Sequence, residues 1–327
     1  MKQRQAMHYE RDGDTTRCLL CPHKCVLKPG QTGICRVRKN AGGVLYSLNY
    51  GRIAAYNIDP IEKKPLYHFY PGSRIVSVGS FGCNLKCSFC QNHAIAHGNP
   101  ETAFIPPRDL VHRSLEVEES IGIAYTYNEP SVWYEYVFDT ARLAKKRGLK
   151  NVFVTNGYIG SEAFDRLLPL MDAVNIDIKA FDEGYYSKVC AGKLAPVLET
   201  VKKAAGFCHV EITTLIVEGL NSDNHELDSL GEWVGSIDKR IPLHLSRYFP
   251  AYLMDRPPTR PGTIMAAKEA VKKHLDYVYI GNIPGVDNNT YCPSCGTKLV
   301  ERDGFGATVL VKGKSCEECG KSLGIIL

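Results

Sequence analysis

The stretch Phe81-Gly-Cys-Asn-Leu-Lys-Cys-Ser-Phe-Cys-Gln-Asn92 sets Cys83, Cys87 and Cys90 at C-x3-C-x2-C spacing on one short segment. Three thiolates this close hold three irons of a [4Fe–4S] cube, whose full complement is four cysteines. The fourth iron is left open. An open iron binds a substrate or cofactor and passes it an electron, whereas a fully ligated cube only carries electrons. A structural zinc knuckle is the competing reading; zinc needs a fourth ligand, which His93 would supply.

Outward from this segment, residues 73–286 repeat one pattern: apolar strand, polar connection, amphipathic helix. Strands are expected at 75–78, 121–125, 151–154, 173–178, 210–217, 241–245 and 277–280. The clearest helix is 131–147, with Trp133, Val137, Ala141 and Ala144 on one face; another, 223–237, opens on Asp223-x-x-Glu226, which resembles a capping box. Strands alternating with helices argue for parallel βα units, and six or seven of them for a complete or partial barrel. In such barrels chemistry gathers where strands end and helices begin. The polar residues of this chain stand there: the cysteine segment, Asn128-Glu129, Thr155-Asn156, Asp177 with Lys179, and His244 to Arg247.

Two flanking regions differ in texture. Residues 1–72 read as a small domain rich in Gly and Pro, with β-like pieces at 44–48 and 52–56 around Asn49-Tyr-Gly51. It carries Cys18-Leu-Leu-Cys21-Pro-His-Lys-Cys25 and Cys35, four thiols within eighteen residues. That density reads as metal binding. The count closes a zinc tetrahedron, and a second iron–sulfur cluster is the rival. Residues 288–327 carry Cys292-Pro-Ser-Cys295 and Cys316-Glu-Glu-Cys319 at the C-x2-C-x20-C-x2-C spacing of a zinc ribbon. Four thiolates close the sphere, so this site is expected to be structural; a single iron, as in rubredoxin, also suits tetrahedral sulfur. Cys190 and Cys208 have no suitable neighbours in sequence and read as small packed hydrophobes.

Bulk properties narrow the classes. The chain of 327 residues is 44% hydrophobic, ample for a buried core, and its size predicts about two domains. Forty basic against thirty-five acidic residues give +5, too mild to call for a nucleic-acid partner. The first ten residues are polar and lack the apolar core of a signal peptide, and no later run nears the ~18 apolar residues of a membrane helix. No membrane role is expected, and thirteen cysteines, eleven of them in three close groups, fit metal ligation in a reducing cytoplasm.

At the strand ends, each polar residue has an ordinary alternative. Glu129, in Tyr125-Thr-Tyr-Asn-Glu-Pro130, places a carboxylate that accepts hydrogen bonds from a bound ammonium, or it simply starts a helix ahead of Pro130. Asp177 and Lys179 stand two apart, so on a continuing strand both face inward. Burying charge without purpose is costly, which favours function there over a structural ion pair. Thr155-Asn156-Gly157 also reads as an ordinary turn. His244 and Arg247 are candidates against a core histidine.

The cysteine segment resembles the signature of the radical S-adenosylmethionine (SAM) superfamily. With Cys-x2-Cys-Pro-His-Lys-Cys, Asp59-Pro-Ile-Glu-Lys-Lys-Pro-Leu-Tyr-His-Phe69, Tyr-Thr-Tyr-Asn-Glu-Pro, Thr-Asn-Gly, Asp-Ile-Lys and the terminal ribbon, the chain resembles the AmmeMemoRadiSam-system radical SAM proteins, relatives of pyruvate formate-lyase activating enzymes. The resemblance implies an α/β fold, a partial (β/α)6 TIM-like barrel with its cluster at the C-terminal rim. It implies SAM chelated by the open iron and cleaved by one electron to a 5′-deoxyadenosyl radical that abstracts hydrogen. Phe89 then packs beside adenine, Asn128 and Glu129 meet the methionine end, and Thr155 and Asn156 lie along the cofactor. Lys179 approaches its carboxylate, Asp177 helps hold a monovalent cation, and His244 and Arg247 lie toward ribose or substrate. Where the family has glycines before the glutamate, this chain has Tyr127 and Asn128. An external one-electron donor and a protein, peptide or small-molecule substrate follow. Two other classes remain: a non-catalytic electron carrier or scaffold, which has no need of Glu129, Asp177 and Lys179, and a radical SAM enzyme acting on RNA, which needs a basic rim.

Overall fold

The computed structural model describes residues 4–327. Its centre is one eight-stranded sheet. In chain order the strands are β1 (Ala55–Pro60), β2 (Arg74–Gly79), β3 (Ser120–Tyr125), β4 (Lys150–Thr155), β5 (Ala173–Asp177), β6 (His209–Ile216), β7 (Leu243–Arg247) and β8 (Val278–Gly281). Each pairs with its neighbour in sequence; β2 to β8 are parallel and β1 runs antiparallel to β2 along the edge. The order never reverses, so the sheet winds one way as a barrel does, without the switch point of a doubly wound sheet. All seven expected parallel strands are present, with ends shifted by no more than two residues.

These segments become strands because they are short apolar runs buried on both faces, as parallel sheets require. In β2, Ile75, Val76 and Val78 are fully buried, and in β3 so are Ile123, Ala124 and Tyr125. The crossovers are α1 (Pro107–Leu115), α2 (Tyr134–Lys146), α3 (Ser161–Leu167), α4 (Leu194–Ala205), α5 (Asn224–Ile237) and α6 (Pro261–Lys272). Helix α2 buries Val137, Ala141 and Ala144 along one stripe; sealing Val137 contributes on the order of 2 kcal/mol. Its expected first turn, Pro130–Trp133, is 3-10. Asp223 caps α5 by accepting from the amides of His225 and Glu226 at 3.0 and 3.1 Å. The reciprocal half of a capping box is missing: the Glu226 carboxylate instead accepts from the Phe181 amide at 2.8 Å, tying α5 to the loop after β5.

The two β-like pieces near Asn49 do not pair with each other. Val44–Ser47 joins Arg38–Ala41 and Arg4–Gln5, while Arg52–Ile53 pairs with Ala103–Phe104, and β1 enters the central sheet. The N-terminal residues Ala6, Leu20, Leu27 and Leu45 share one core with the sheet and its helices. At the other end, Thr290–Tyr291, Lys298–Asp303 and Gly306–Val309 form a three-stranded antiparallel sheet with its own cluster of Leu299, Val300, Val311, Leu323 and Ile325. It docks under the central sheet, where Ile326 bonds the backbone of His68 and Tyr70 and the Arg302 guanidinium lies 4.3 Å from the Tyr67 ring centroid.

Candidate active site

The cysteine segment leaves the carboxyl end of β2 and is pinned from several sides. The Asn128 side chain accepts from the Ser80 amide and donates to the Gly82 carbonyl, both at 2.9 Å, clamping the turn before Cys83. The Cys83 sulfur accepts from the Leu85 amide at 3.4 Å and the Asn156 side-chain amide at 3.7 Å. Lys86 and Ser88 donate their backbone amides to the Cys190 and Val189 carbonyls at 2.8 and 3.2 Å. Cys190 itself is fully buried in the main core, packed as a small hydrophobe.

Cys83, Cys87 and Cys90 face a cleft of about 480 Å³ at the carboxyl ends of the parallel strands. Phe89, Asn128, Glu129, Thr155, Asn156, Asp177 and Lys179 line the same cleft. Glu129 is buried and holds three donors: the Ser131 amide at 2.9 Å, the Thr155 hydroxyl at 2.7 Å and the Asn156 amide at 2.8 Å. Burial still pushes its carboxyl above the usual range against the pull of those donors. Opposite in sign stands Lys179, whose ammonium donates to Asp177 at 2.6 Å. Burial works against its charge, but Asp177 and the Cys87 sulfur more than offset it and hold the lysine above its ordinary pKa. The cleft thus offers an anionic and a cationic anchor beside three thiols.

His244 and Arg247 lie outside this cleft. His244 shares the inward face of β7 with Ser246, a cleft residue, but sits deeper in the sheet, bonding Glu211 at 2.6 Å between the rings of Tyr67 and Tyr279. Glu211 also accepts from the Tyr67 and His68 amides and from His209, so it ties the strap before β2 to the interior of the sheet. Although burial opposes it, the two histidines hold this carboxyl well below the usual range. Arg247 turns outward and donates to the Thr259 carbonyl at 2.7 Å. The alternation of strand side chains explains why Arg247 turns away, whereas His244 faces inward and is held below the cleft by Glu211.

Sequence reasoning missed Lys63, Lys64, Thr213, Ser246 and Asn282, which also line the cleft. Ser246 lay within the motif and Thr213 follows Glu211 at strand period, a readable signal. Lys63 and Lys64 lie in the 59–69 motif but at no parallel-strand end; Lys64 reaches the cleft because β1 forms the edge of the sheet, where its ammonium donates to Asp59 at 2.7 Å.

The C-terminal quartet is tightly gathered: the sulfurs of Cys292, Cys295, Cys316 and Cys319 lie within 4.8 Å of one another. Both knuckles have one build. The Cys292 and Cys316 amides donate to Thr297 and Lys321, and the Gly296 and Gly320 amides donate back to Cys292 and Cys316. Each glycine takes a φ near +75°, 75° and 73°, which other residues resist. Four thiols at these distances are able to hold one metal ion. The cysteines at 18, 21, 25 and 35 line one small pocket of about 10 Å³.

A one-way wound, mostly parallel α/β sheet with three cysteines and paired opposite charges at its carboxyl edge defines a cofactor-binding protein of iron–sulfur type. The family model of the radical SAM superfamily matches residues 77–233. An uncharacterized protein of Methanocaldococcus jannaschii is 43% identical over 342 aligned residues, covering 99% of this chain and 100% of its own. Pyruvate formate-lyase 1-activating enzyme of Escherichia coli is 25% identical over 186 residues, 53% of this chain and 75% of that protein. Among solved structures, Streptococcus suis SuiB bound to S-adenosylmethionine gives a TM-score of 0.53 at 12% identity, over 68% of this chain and 53% of SuiB. A radical SAM methyltransferase from Sphaerobacter thermophilus gives 0.52 at 18% identity, over 70% of this chain and 71% of its own. The chain belongs to the radical SAM superfamily, and membership implies a [4Fe–4S] cluster and SAM.

The residues present fit both groups. Three thiols of one loop face one open cleft, with N–H donors aimed at the sulfur of Cys83. Across the cleft a buried carboxylate and an ammonium match the two charged ends of an amino acid.

Proposed function

We propose that this chain is a radical SAM enzyme whose cluster is held by Cys83, Cys87 and Cys90 and whose SAM lies between Phe89, Glu129 and Lys179. Bound there, the cluster and SAM supply one-electron cleavage of a sulfonium and a 5′-deoxyadenosyl radical. The protein's own residues position and shield. Glu129, oriented by Thr155 and Asn156, accepts from the methionine ammonium, and Lys179 pairs with the carboxylate. Asp177 gives one oxygen to Lys179, and its other serves a monovalent cation. Phe89, buried in the cysteine loop, packs beside adenine. Buried apolar walls and the clamped loop keep water from the reacting atoms.

The observation that carries this reading is convergence: residues from the carboxyl ends of several parallel strands, remote in sequence, meet the three cysteines in one cleft. An electron carrier has no use for that constellation. The activating-enzyme relatives favour a protein or peptide substrate over a small molecule, with an external one-electron donor. The C-terminal quartet holds Zn²⁺ in a structural ribbon, and the three segments 1–72, 73–287 and 288–327 act as Cys-rich, barrel and ribbon units.

Anaerobic protein supplied with dithionite and SAM tests the proposal. The expected product is 5′-deoxyadenosine, lost on Cys87→Ala; wild-type protein that holds its iron yet forms none would leave an electron carrier.

A further inference from the structure

The residues assigned to the cluster and SAM stand on or after β2 to β5, but the cleft is wider than that. Five further polar residues line it from the flanks of the sheet: Thr213 on β6, Ser246 on β7, Asn282 just past β8, and Lys63 and Lys64 past β1. Strands β1 and β8 are the two edges of the sheet and do not pair with each other. Both edges therefore contribute polar side chains to one cleft.

This part of the cleft carries an unbalanced positive charge. None of its five residues is acidic, and the two carboxylates that do line the cleft, Glu129 and Asp177, are taken up with SAM, Lys179 and a cation. The two lysines share one counter-charge. Asp59 accepts from Lys63 at 3.0 Å through Oδ1, and through Oδ2 from Lys64 at 2.7 Å and the Tyr127 hydroxyl at 2.5 Å. Glu62 adds nothing here, since it lies off the cleft and accepts from the Gly72 amide at 2.7 Å. Lys64 is spent on structure: its side chain is 2% exposed and its ammonium lies against the Tyr127 ring. Lys63 is 49% exposed, and among the described residues its ammonium bonds Asp59 alone. An ammonium has three donors, so two remain for a ligand.

The neutral members suit a peptide backbone. The Ser246 hydroxyl accepts from the Asn282 amide at 3.0 Å and keeps its own hydrogen to donate; the Thr213 hydroxyl donates to Asn175 at 3.0 Å and keeps its oxygen to accept. A single-stranded nucleic acid asks instead for rings on which to stack bases. The two rings at the cleft are committed, Phe89 to the cofactor and Tyr127 to Lys64, 4.5 Å from its centroid.

We propose that the substrate is a peptide segment bearing an acidic side chain, whose carboxylate is received by Lys63 and whose backbone meets Ser246 and Thr213. Lys64, held by Asp59, adds its charge from behind. The assignment rests on the proposed function, in which SAM occupies Glu129 and Lys179.

Saturation-transfer NMR on anaerobic full-length protein, with and without SAM, tests it with three probes: a capped Gly-Asp-Gly peptide, the same peptide with Asn for Asp, and the RNA dinucleotide uridylyl-uridine. With SAM present the Asp peptide is expected to bind about tenfold more tightly than the Asn peptide. Lys63→Gln, at a half-exposed position, is expected to abolish that difference. Equal binding of the two peptides, or binding of neither, would overturn the anionic site and leave the SAM reading intact. A preference that survives Lys63→Gln would overturn the role of Lys63. A preference that SAM competes away would show that the lysines hold the cofactor's own carboxylate, sinking the reading of Lys179 together with this one. A dinucleotide that binds more tightly than the Asp peptide and is lost on Lys63→Gln would overturn the peptide in favour of RNA.

Discussion

Tyr127 donates its phenol hydrogen to Asp59 at 2.5 Å while its own backbone stands at φ +70°. A side chain in this left-handed region costs roughly 1–2 kcal/mol, which is why glycine is expected there. The backbone keeps the glycine conformation and the anchor to β1 holds it. Lys64 reinforces the arrangement, its ammonium 4.5 Å from the Tyr127 ring centroid and bonded to the same carboxylate.

Tyr127→Phe keeps the strain and loses the anchor, so a cost of about 1–3 kcal/mol is expected. Tyr127→Gly loses the same bond but relieves the strain. In urea unfolding the glycine variant is therefore expected to be the less destabilised of the two. The reverse order would mean that ring packing, and not the bond to Asp59, sustains the conformation.

Asp59 also makes a pH prediction. Burial pushes its carboxyl up, but the bonds from Lys64 and Tyr127 outweigh that and hold it well below the ordinary range. Burial likewise lowers Lys64, and Asp59 partly restores it. A carboxyl depressed on folding contributes stability above its unfolded pKa near 3.9, and that contribution fades as pH falls below it. Between pH 5 and pH 3 wild-type protein should therefore lose more stability than Asp59→Asn, by about 1 kcal/mol. Parallel acid profiles would remove Asp59 from the account.

Much of this was legible in the sequence because it rests on local signals. The strands announced themselves as short apolar runs, and strand-end placement marked Glu129, Asp177 and Lys179 as cleft residues. What escaped was set by distant partners. His244 carries the right chemistry at the right strand end, yet Glu211 and two tyrosines hold it below the cleft. Residues 186–190 brace the cysteine loop through the Val189 and Cys190 carbonyls, a contact that nothing in their own sequence marks. Lys64 enters through the antiparallel edge strand, which lies outside the repeating βα pattern.

The Arg38 to Glu135 pair is buried on both sides, 2% and 0% by side chain, and joins the N-terminal sheet to α2. Glu135 also accepts from the Met7 amide at 2.9 Å. Removing one partner strands the other charge, so Arg38→Met should cost about 3–5 kcal/mol. Arg38→Met with Glu135→Leu should recover part of that loss, because burying neither charge is cheaper than burying one. A double variant no better than the single would mean that Arg38 acts mainly at the cysteine cavity.

The C-terminal sheet has a core of only a few apolar side chains beside its two knuckles, too small to stand without a staple. Stripping the metal proposed for its four thiols with a strong chelator, or replacing Cys316 by Ser, is expected to expose residues 288–327 to protease while the central sheet stays intact. Metal-free protein with an undiminished protease-resistant C-terminus would show that docking through Ile326 and Arg302 is sufficient.

Lys179 and Asp177 offer the sharpest separation of function from folding. The pair spans 2.6 Å at the cleft wall, with Asp177 about one-third exposed at 31%, so breaking it strands little buried charge. Lys179→Met is thus expected to leave unfolding nearly unchanged and iron content intact. A charged hydrogen bond lost from a bound carboxylate is worth about 1.5–3 kcal/mol, or roughly 10- to 100-fold in affinity. SAM binding should weaken by that factor and 5′-deoxyadenosine formation should fall with it at limiting SAM. Asp177→Asn keeps a neutral acceptor for the lysine and should lose less. If Lys179→Met bound and cleaved SAM as wild type does, the cationic wall of the cleft would have to be assigned to Lys63 or Lys64.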